Sequence, residues 1–507
     1  METDTIFFKI SERAAGIWGV MRRHPARCSV LAAVLLSCAA SHPAEVARTS
    51  PPLRETAAAA TAPGPQHPRT PPLIPIPAPT PPVSTVARVS IGAVGDVLMH
   101  GAVQDAAADH RAPGNDDGFG WLWAPIADLL AETDLTFANL ETPVAPRSGR
   151  APRSFVFNAP PAVITALRHG GVDLVSVANN HIFDQGRAGF EETLAQLDRL
   201  GMAYVGAAET GGGAAPRVLT VNGIRIAFVG YARFFNQSGN ACPPPGKRAG
   251  PPCPQASLLD PDRAVADVRA AARIADAVVV SLHWGDEYQP QPRETDVALA
   301  HRLADAGALL VLGHHPHVLQ PIEVYQRPDG QAALIAYSLG NFVSNQSRHY
   351  VHGVTPAAVA AARDGVLLRA EIARRDYGRG VTRVELSAAG WLPLWTENDT
   401  PDPRRRSAGW RPAIRVISID RALAEVRSEL AAFPDPVPPD RQQRYVALRQ
   451  REELYLARRS AIAGVLGEDL ERQAPAAPVA AATRATQPTP VDAAVSGERR
   501  LTPAASP

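Results

Sequence analysis

Lysine is nearly absent from this chain. Only Lys9 and Lys247 occur among 51 basic residues, so arginine carries almost all the positive charge. Together with heavy alanine and proline usage, that bias reads as codon preference rather than chemistry. The net charge is only +1, without the basic excess that releases phosphate counterions, which argues against a dedicated nucleic-acid binder. Aromatic residues make up 6%, and no run reaches the roughly 20 apolar residues of a membrane-spanning helix. Cysteine is scarce as well, at four.

Proline is plentiful, with 49 residues in the 507-residue chain. It lacks an N–H and clashes inside helices, so it marks the edges of folded regions. Residues 43–82 hold 13 prolines and residues 243–254 hold six. One uniformly folded domain over the whole length is therefore excluded. Arg22, Arg23 and Arg27 precede an apolar run from Ser29 to Leu36, followed by Ser37, Cys38, Ala39 and Ala40. A basic start, a short apolar stretch and small residues describe a secretory signal over 1–42. Leu35-Leu36-Ser37-Cys38 is similar to a bacterial lipobox, which makes Cys38 a candidate lipidation site; simple cleavage near Ala40 is the alternative. Met21 gives a signal of ordinary length, and residues 1–20 read as an over-called start. Residues 43–86 read as an extended Pro-rich linker, and 471–507 as a disordered tail.

Between these flanks, apolar runs at 87–95, 135–140, 173–178, 203–206, 224–231, 277–282, 308–312 and 333–339 alternate with amphipathic stretches. In 187–200, Phe190, Leu194, Leu197 and Leu200 recur at helical spacing. The alternation predicts an α/β domain over 87–400 with buried strands. Strands without intervening helices are expected at 365–373 and 381–388, and a helical extension over 401–470, with helices at 419–433 and 440–466. Cys242 and Cys253 bracket a Gly/Pro-rich insertion. In an oxidising compartment they can close it as a disulfide, with a zinc site as the rival.

Polar clusters stand at the ends of the predicted strands, where α/β sheets collect their ligands. Asp96, Glu141, Asn180, His283, His315 and His317 offer oxygen and imidazole donors suited to Mn, Fe or Zn, with no thiolate among them. Such a set fits a two-metal site that activates water and stabilises a leaving oxygen. His181 is the candidate proton donor, with Asp184 beside it. Asn139, Glu287 and Asn341, at the same strand ends, are the candidates for substrate contact.

Six strings, in order, carry a family resemblance: Val94-Gly95-Asp96-Val97-Leu98-Met99-His100, Ala138-Asn139-Leu140-Glu141, Ala178-Asn179-Asn180-His181-Ile182-Phe183-Asp184-Gln185-Gly186, His283-Trp284-Gly285-Asp286-Glu287-Tyr288, Gly313-His314-His315-Pro316-His317 and Tyr337-Ser338-Leu339-Gly340-Asn341-Phe342. Together, over about 88–345, they resemble the CapA family of poly-γ-glutamate capsule biosynthesis proteins, related to calcineurin-like metallophosphoesterases. The resemblance implies a four-layer α-β-β-α sandwich with mixed sheets. It also implies a cell-surface role in making, anchoring or releasing an anionic γ-linked polymer, with two divalent metals and membrane-bound capsule synthesis proteins as partners. A metal-dependent hydrolase or transferase, an extracytoplasmic phosphoesterase and a non-catalytic polymer-binding assembly protein are the functional readings it leaves open. Glu141 stands where the phosphoesterases have an aspartate, Asn179 where they have a glycine, and His100 is two residues beyond their first-motif histidine.

Overall fold

The computed structural model describes residues 70–111, 116–208, 215–242, 253–399 and 413–467. Cys38, the signal region, most of the expected linker and the expected tail lie outside these residues. In chain order the first strands are β1 Ile74–Pro75, β2 Ser84–Val97, β3 Leu135–Asn139, β4 Leu174–Ser176, β5 Ala203–Val205 and β6 Ala207–Ala208. They are followed by β7 Arg217–Val221, β8 Ile224–Ala232, β9 Gln255–Ala256, β10 Ala277–His283, β11 Ala308–His314 and β12 Ile322–Gln326. The last are β13 Ala332–Ala336, β14 Asn341–Val343, β15 Asp364–Asp376, β16 Thr382–Asn398 and β17 Ile414–Ser418. The helices are α1 Gly101–Ala108, α2 Ala127–Ala131, α3 Ala162–His169, α4 Gly186–Leu200, α5 Pro261–Ile274, α6 Glu294–Asp305, α7 Ile419–Ala431 and α8 Gln442–Leu466.

Two mixed sheets form the middle layers. The first runs β1-β16-β15-β2-β3-β4-β5, with β14 beside the end of β2 and β17 beside β16; the second runs β12-β13-β11-β10-β8-β7. The central strands β10 and β11 are buried at every residue, which is why they read as continuous apolar runs rather than alternating ones. Between the sheets, Ile91 and Phe137 from one face meet Phe228, Val279 and Leu312 from the other in a single cluster. Outside the first sheet, Val103, Trp123, Leu167 and Phe190 join the helices α1, α3 and α4 to it. Outside the second, Val265, Val268 and Leu303 do the same for α5 and α6. The result is the four-layer α-β-β-α sandwich. Helix α5 shows how the sequence sets its own start: Asp260 accepts from the Arg263 N–H and Pro261 opens the first turn.

Two boundaries differ from the sequence reading. The fold takes in part of the stretch read as linker, because Ile74 and Pro75 pair with Ala389 and Ala388 of β16. The Ile76 N–H bonds Ser387 and its side chain is buried. Proline is tolerated there because, among the described residues, β1 is an edge strand with no strand on its outer side. At the other end, α7 and α8 form as expected, but they are not a separate extension. Leu423, Val426, Tyr455 and Ile462 belong to the inter-sheet core, and β17 lengthens the first sheet. Cys242 and Cys253 are joined as a disulfide.

Candidate metal centre

The carboxyl ends of both sheets converge on one point. Asp96 on β2 is in register with Asn139 of β3 on one side and with Asn341 of β14 on the other. In the second sheet, His283 ends β10 directly beside His314 of β11. Glycine permits the close approach. A Cβ on Gly95 would lie 1.9 Å from the Gly340 carbonyl oxygen, and one on Gly313 would lie 1.9 Å from that of Tyr337. After β11 the chain turns sharply, and His315 and His317 hold positive φ values of 95° and 59°. Non-glycine residues rarely adopt that region, and strain of this kind collects at functional sites.

Six of the expected donors meet here, all buried. The ligand atoms of Glu141, His315 and His317 lie within 4.8 Å of one another, as do those of Asp96, Glu141 and His283. Glu141 belongs to both triads. Asn180 Oδ1 adds an oxygen 2.9 Å from His283 Nε2. His317 Nδ1 lies 3.2 Å from Asp96 Oδ2 and 3.1 Å from Asn341 Oδ1. That puts its proton on Nδ1 and leaves Nε2, 3.9 Å from Glu141 Oε1, free to ligate.

The electrostatics suit a cation. Burial raises the Asp96 carboxyl, but the His314 and His317 imidazoles outweigh it and hold the group well below its ordinary value. Glu141 goes the other way, raised well above the carboxylate range by burial and then by the negative field of Asp96, Glu287 and Asp184. Burial and the neighbouring His315 hold His283 well below the usual histidine value. His315 itself is lowered to about 3, by burial and by His317. Both imidazoles are therefore neutral, as ligands must be. Buried polar atoms ordinarily find a partner, yet both Glu141 oxygens, both His314 nitrogens and His315 Nδ1 have none. Unpaired oxygen and imidazole donors converging on one point fit a transition-metal site.

The remaining assignments divide. His181 Nδ1 sits 2.8 Å from Asp184 Oδ2, which also accepts the Phe157 N–H, and the Phe157 ring lies tilted 4.4 Å from the imidazole. Glu287 is exposed on the loop after β10, in reach of Glu141 through its charge. The Asn139 and Asn341 amides already have partners within the protein. Asn139 Nδ2 bonds Asp96 Oδ1 at 2.8 Å and lies 3.2 Å from His283 Nδ1. The Asn341 amide is taken up by His317, Gln346 and Ala362. Both sit behind the donors and orient them.

His314 is the residue the sequence reading passed over. It is fully buried, with Nδ1 3.3 Å from Asp96 Oδ1 but no hydrogen bond completed. Period-two alternation was the available signal, because Leu310 and Leu312 face the inter-sheet core and His314 continues that face. His100 lies at the rim, its ring against Phe157 and its Nδ1 accepting the Asn345 N–H. Burial is the main reason its pKa drops to about 4.

Comparison with known proteins gives the family. Over 322 residues the chain is 30% identical to the PGA biosynthesis protein CapA of Bacillus subtilis (strain 168), covering 62% of this chain and 77% of that protein. It is 30% identical over 268 residues to the capsule biosynthesis protein CapA of Bacillus anthracis, covering 51% of this chain and 60% of that one. A probable polyglutamine synthesis accessory protein of Mycobacterium tuberculosis (strain ATCC 25618 / H37Rv) is 34% identical over 217 residues, 41% of this chain and 56% of its own length. The chain thus spans about 60% of the Bacillus anthracis relative. The profile of the family described as bacterial capsule synthesis protein PGA_cap matches residues 90–346, from within the Asp96 strand to just past Asn341. On that match, the chain belongs to the PGA_cap (CapA) family of bacterial capsule synthesis proteins.

Proposed function

We propose that this protein is an exported, metal-dependent hydrolase or transferase that acts on the poly-γ-glutamate of a capsule. The observation that carries the reading is Glu141, buried and unpartnered at the junction of two donor triads beside a His–Asp pair. Asp96, His283 and Asn180 would hold one cation and His315 and His317 a second, with Glu141 shared between them. Mn, Fe or Zn bound there supplies Lewis-acid polarisation and a nucleophilic water at neutral pH. His181 handles the proton of the leaving group. Asp184 fixes its Nδ1, so Nε2 is the transferring atom. The printed names of the relatives, PGA biosynthesis protein and capsule biosynthesis protein, support the polymer as substrate. The basic-apolar stretch ending at Cys38 and the Cys242–Cys253 disulfide support export to an oxidising compartment.

The test is metal content followed by turnover. The purified protein is expected to hold one or two transition-metal ions, lost in Asp96→Ala and His315→Ala with the fold intact. Cleavage or transfer of poly-γ-glutamate, run beside a model phosphodiester, should depend on the metal and collapse in His181→Ala. A folded protein that stays metal-free after exposure to Mn, Fe and Zn refutes the centre. A metal-loaded protein without turnover on either substrate refutes the enzyme.

A further inference from the structure

A cavity of about 580 Å³ lies beside the segments that carry Tyr288 and Val318, next in the chain to the donor His317, within the roughly 300–1,000 Å³ of small-molecule pockets. Its walls are the 3₁₀ helix Ala357–Arg363, the end of α8 at Ala461, Ile462 and Val465, and the segments that carry Tyr288 and Val318. Eleven of its fifteen lining residues are Ala, Val, Leu, Ile or Pro. It shares a wall with the metal centre. Tyr288 lines it, donates its N–H to the Pro316 carbonyl at 2.8 Å and has its ring 6.2 Å from that of His317. Val318 directly follows His317 in the chain.

The charges in this cavity are already spent on each other. Arg458 bonds Asp364 through Nε at 3.0 Å and again through Nη2, and Nη1 reaches the Ala357 carbonyl. The two side chains are 5% and 6% exposed. A pair that complete leaves no free charge to attract an ionic group, whereas the apolar walls favour hydrocarbon. The adjoining centre, by contrast, gathers donors for cations and hence for an anionic head.

We infer that the cavity seats the hydrocarbon chain of an amphiphilic ligand whose anionic head lies at the metal centre. The head position rests on the proposed function; the chain pocket does not. A plain polyglutamate, charged at every residue, leaves this cavity without a matching group. A single acyl or prenyl chain matches it.

The experiment is a calorimetric titration of the purified, metal-loaded chain with methyl, hexyl and decyl phosphate, each below its aggregation concentration. Geranyl phosphate serves as the branched arm. Affinity should tighten about four-fold per buried methylene until the cavity is full. In Ala461→Trp, which fills the cavity from a half-exposed position, and in Val359→Asp, which puts a charge at its mouth, the chain-length dependence should vanish while methyl phosphate binding stays. Equal affinity for methyl and decyl phosphate overturns the inference, as does chain-length dependence that survives both substitutions. A decyl preference over geranyl assigns an acyl chain, and the reverse a prenyl chain. Chain-length dependence retained in an Asp96→Asn chain that has lost metal would keep the cavity even if the enzyme reading failed. Turnover without chain-length dependence would do the opposite.

Discussion

When a cation arrives, Glu141 has the most to lose: a proton. Its two oxygens are buried and unpartnered, and burial plus the charges of Asp96, Glu287 and Asp184 raise its pKa well above the ordinary value. A carboxyl whose folded pKa exceeds its unfolded one keeps its proton as pH rises, so in the metal-free protein Glu141 stays the neutral acid to higher pH than an ordinary carboxyl. Ligation requires the carboxylate. Asp96 is held ionised and His283 and His315 are held neutral, so these three have nothing to release. Metal loading below the Glu141 pKa should therefore liberate the Glu141 proton. Below the Glu141 pKa, affinity should rise about tenfold per pH unit, the slope of one linked proton, worth about 1.4 kcal/mol. Calorimetry with Mn²⁺ in buffers of different ionisation enthalpy reads this directly. Mn²⁺ is the better probe, because water on protein-bound Zn²⁺ can acidify to about pH 7 and add a proton of its own. In Glu141→Gln the proton should disappear, and affinity should fall by at least the 10–100-fold that loss of an outer-shell partner costs. No proton from the native chain, or one still released from Glu141→Gln, refutes the reasoning.

Three further outcomes follow from the contacts around the centre. Asp184→Asn should lower kcat on the polymer while leaving metal content and KM near native, because the carboxylate orients His181 rather than binding cation or substrate; metal loss in this variant would contradict that role. Gly313→Ala puts a methyl into the Tyr337 carbonyl, and denaturant unfolding should show a loss of about 1–3 kcal/mol together with weakened metal binding, since the His315–Pro316–His317 turn follows directly. Arg458→Met leaves Asp364 unpaired and should cost about 3–5 kcal/mol at pH 8. Burial already raises Asp364 to about 6, so the folded variant binds a proton more tightly than the unfolded chain and the penalty should shrink at pH 5; an equal penalty at both pH values contradicts this sign.

The donors were readable in the sequence because each one ends an apolar run that is itself readable. Val94-Gly95-Asp96 and the all-buried β10 ending in His283 announce strand and donor together. What could not be read is the direction in which an amide points. Asn139 and Asn341 have the type and position of substrate contacts, and only the assembled register of β2, β3 and β14 shows them spent on Asp96, His283 and His317. The same holds for the C-terminal helices. Their existence follows from local periodicity, but their place depends on partners far away in the chain: Arg458 on Asp364, Tyr455 on Glu397, Arg421 on Asp128. No local pattern encodes a contact across 293 residues. Short edge strands such as β1 and β17 were missed for a related reason, since a few residues at a sheet margin carry too little alternation to stand out. Function depends on both levels. Strand ends deliver the ligands, and the long-range contacts of α8 build the wall beside them, so a substitution at Arg458 should be felt in the neighbouring cavity before it is felt at the metal.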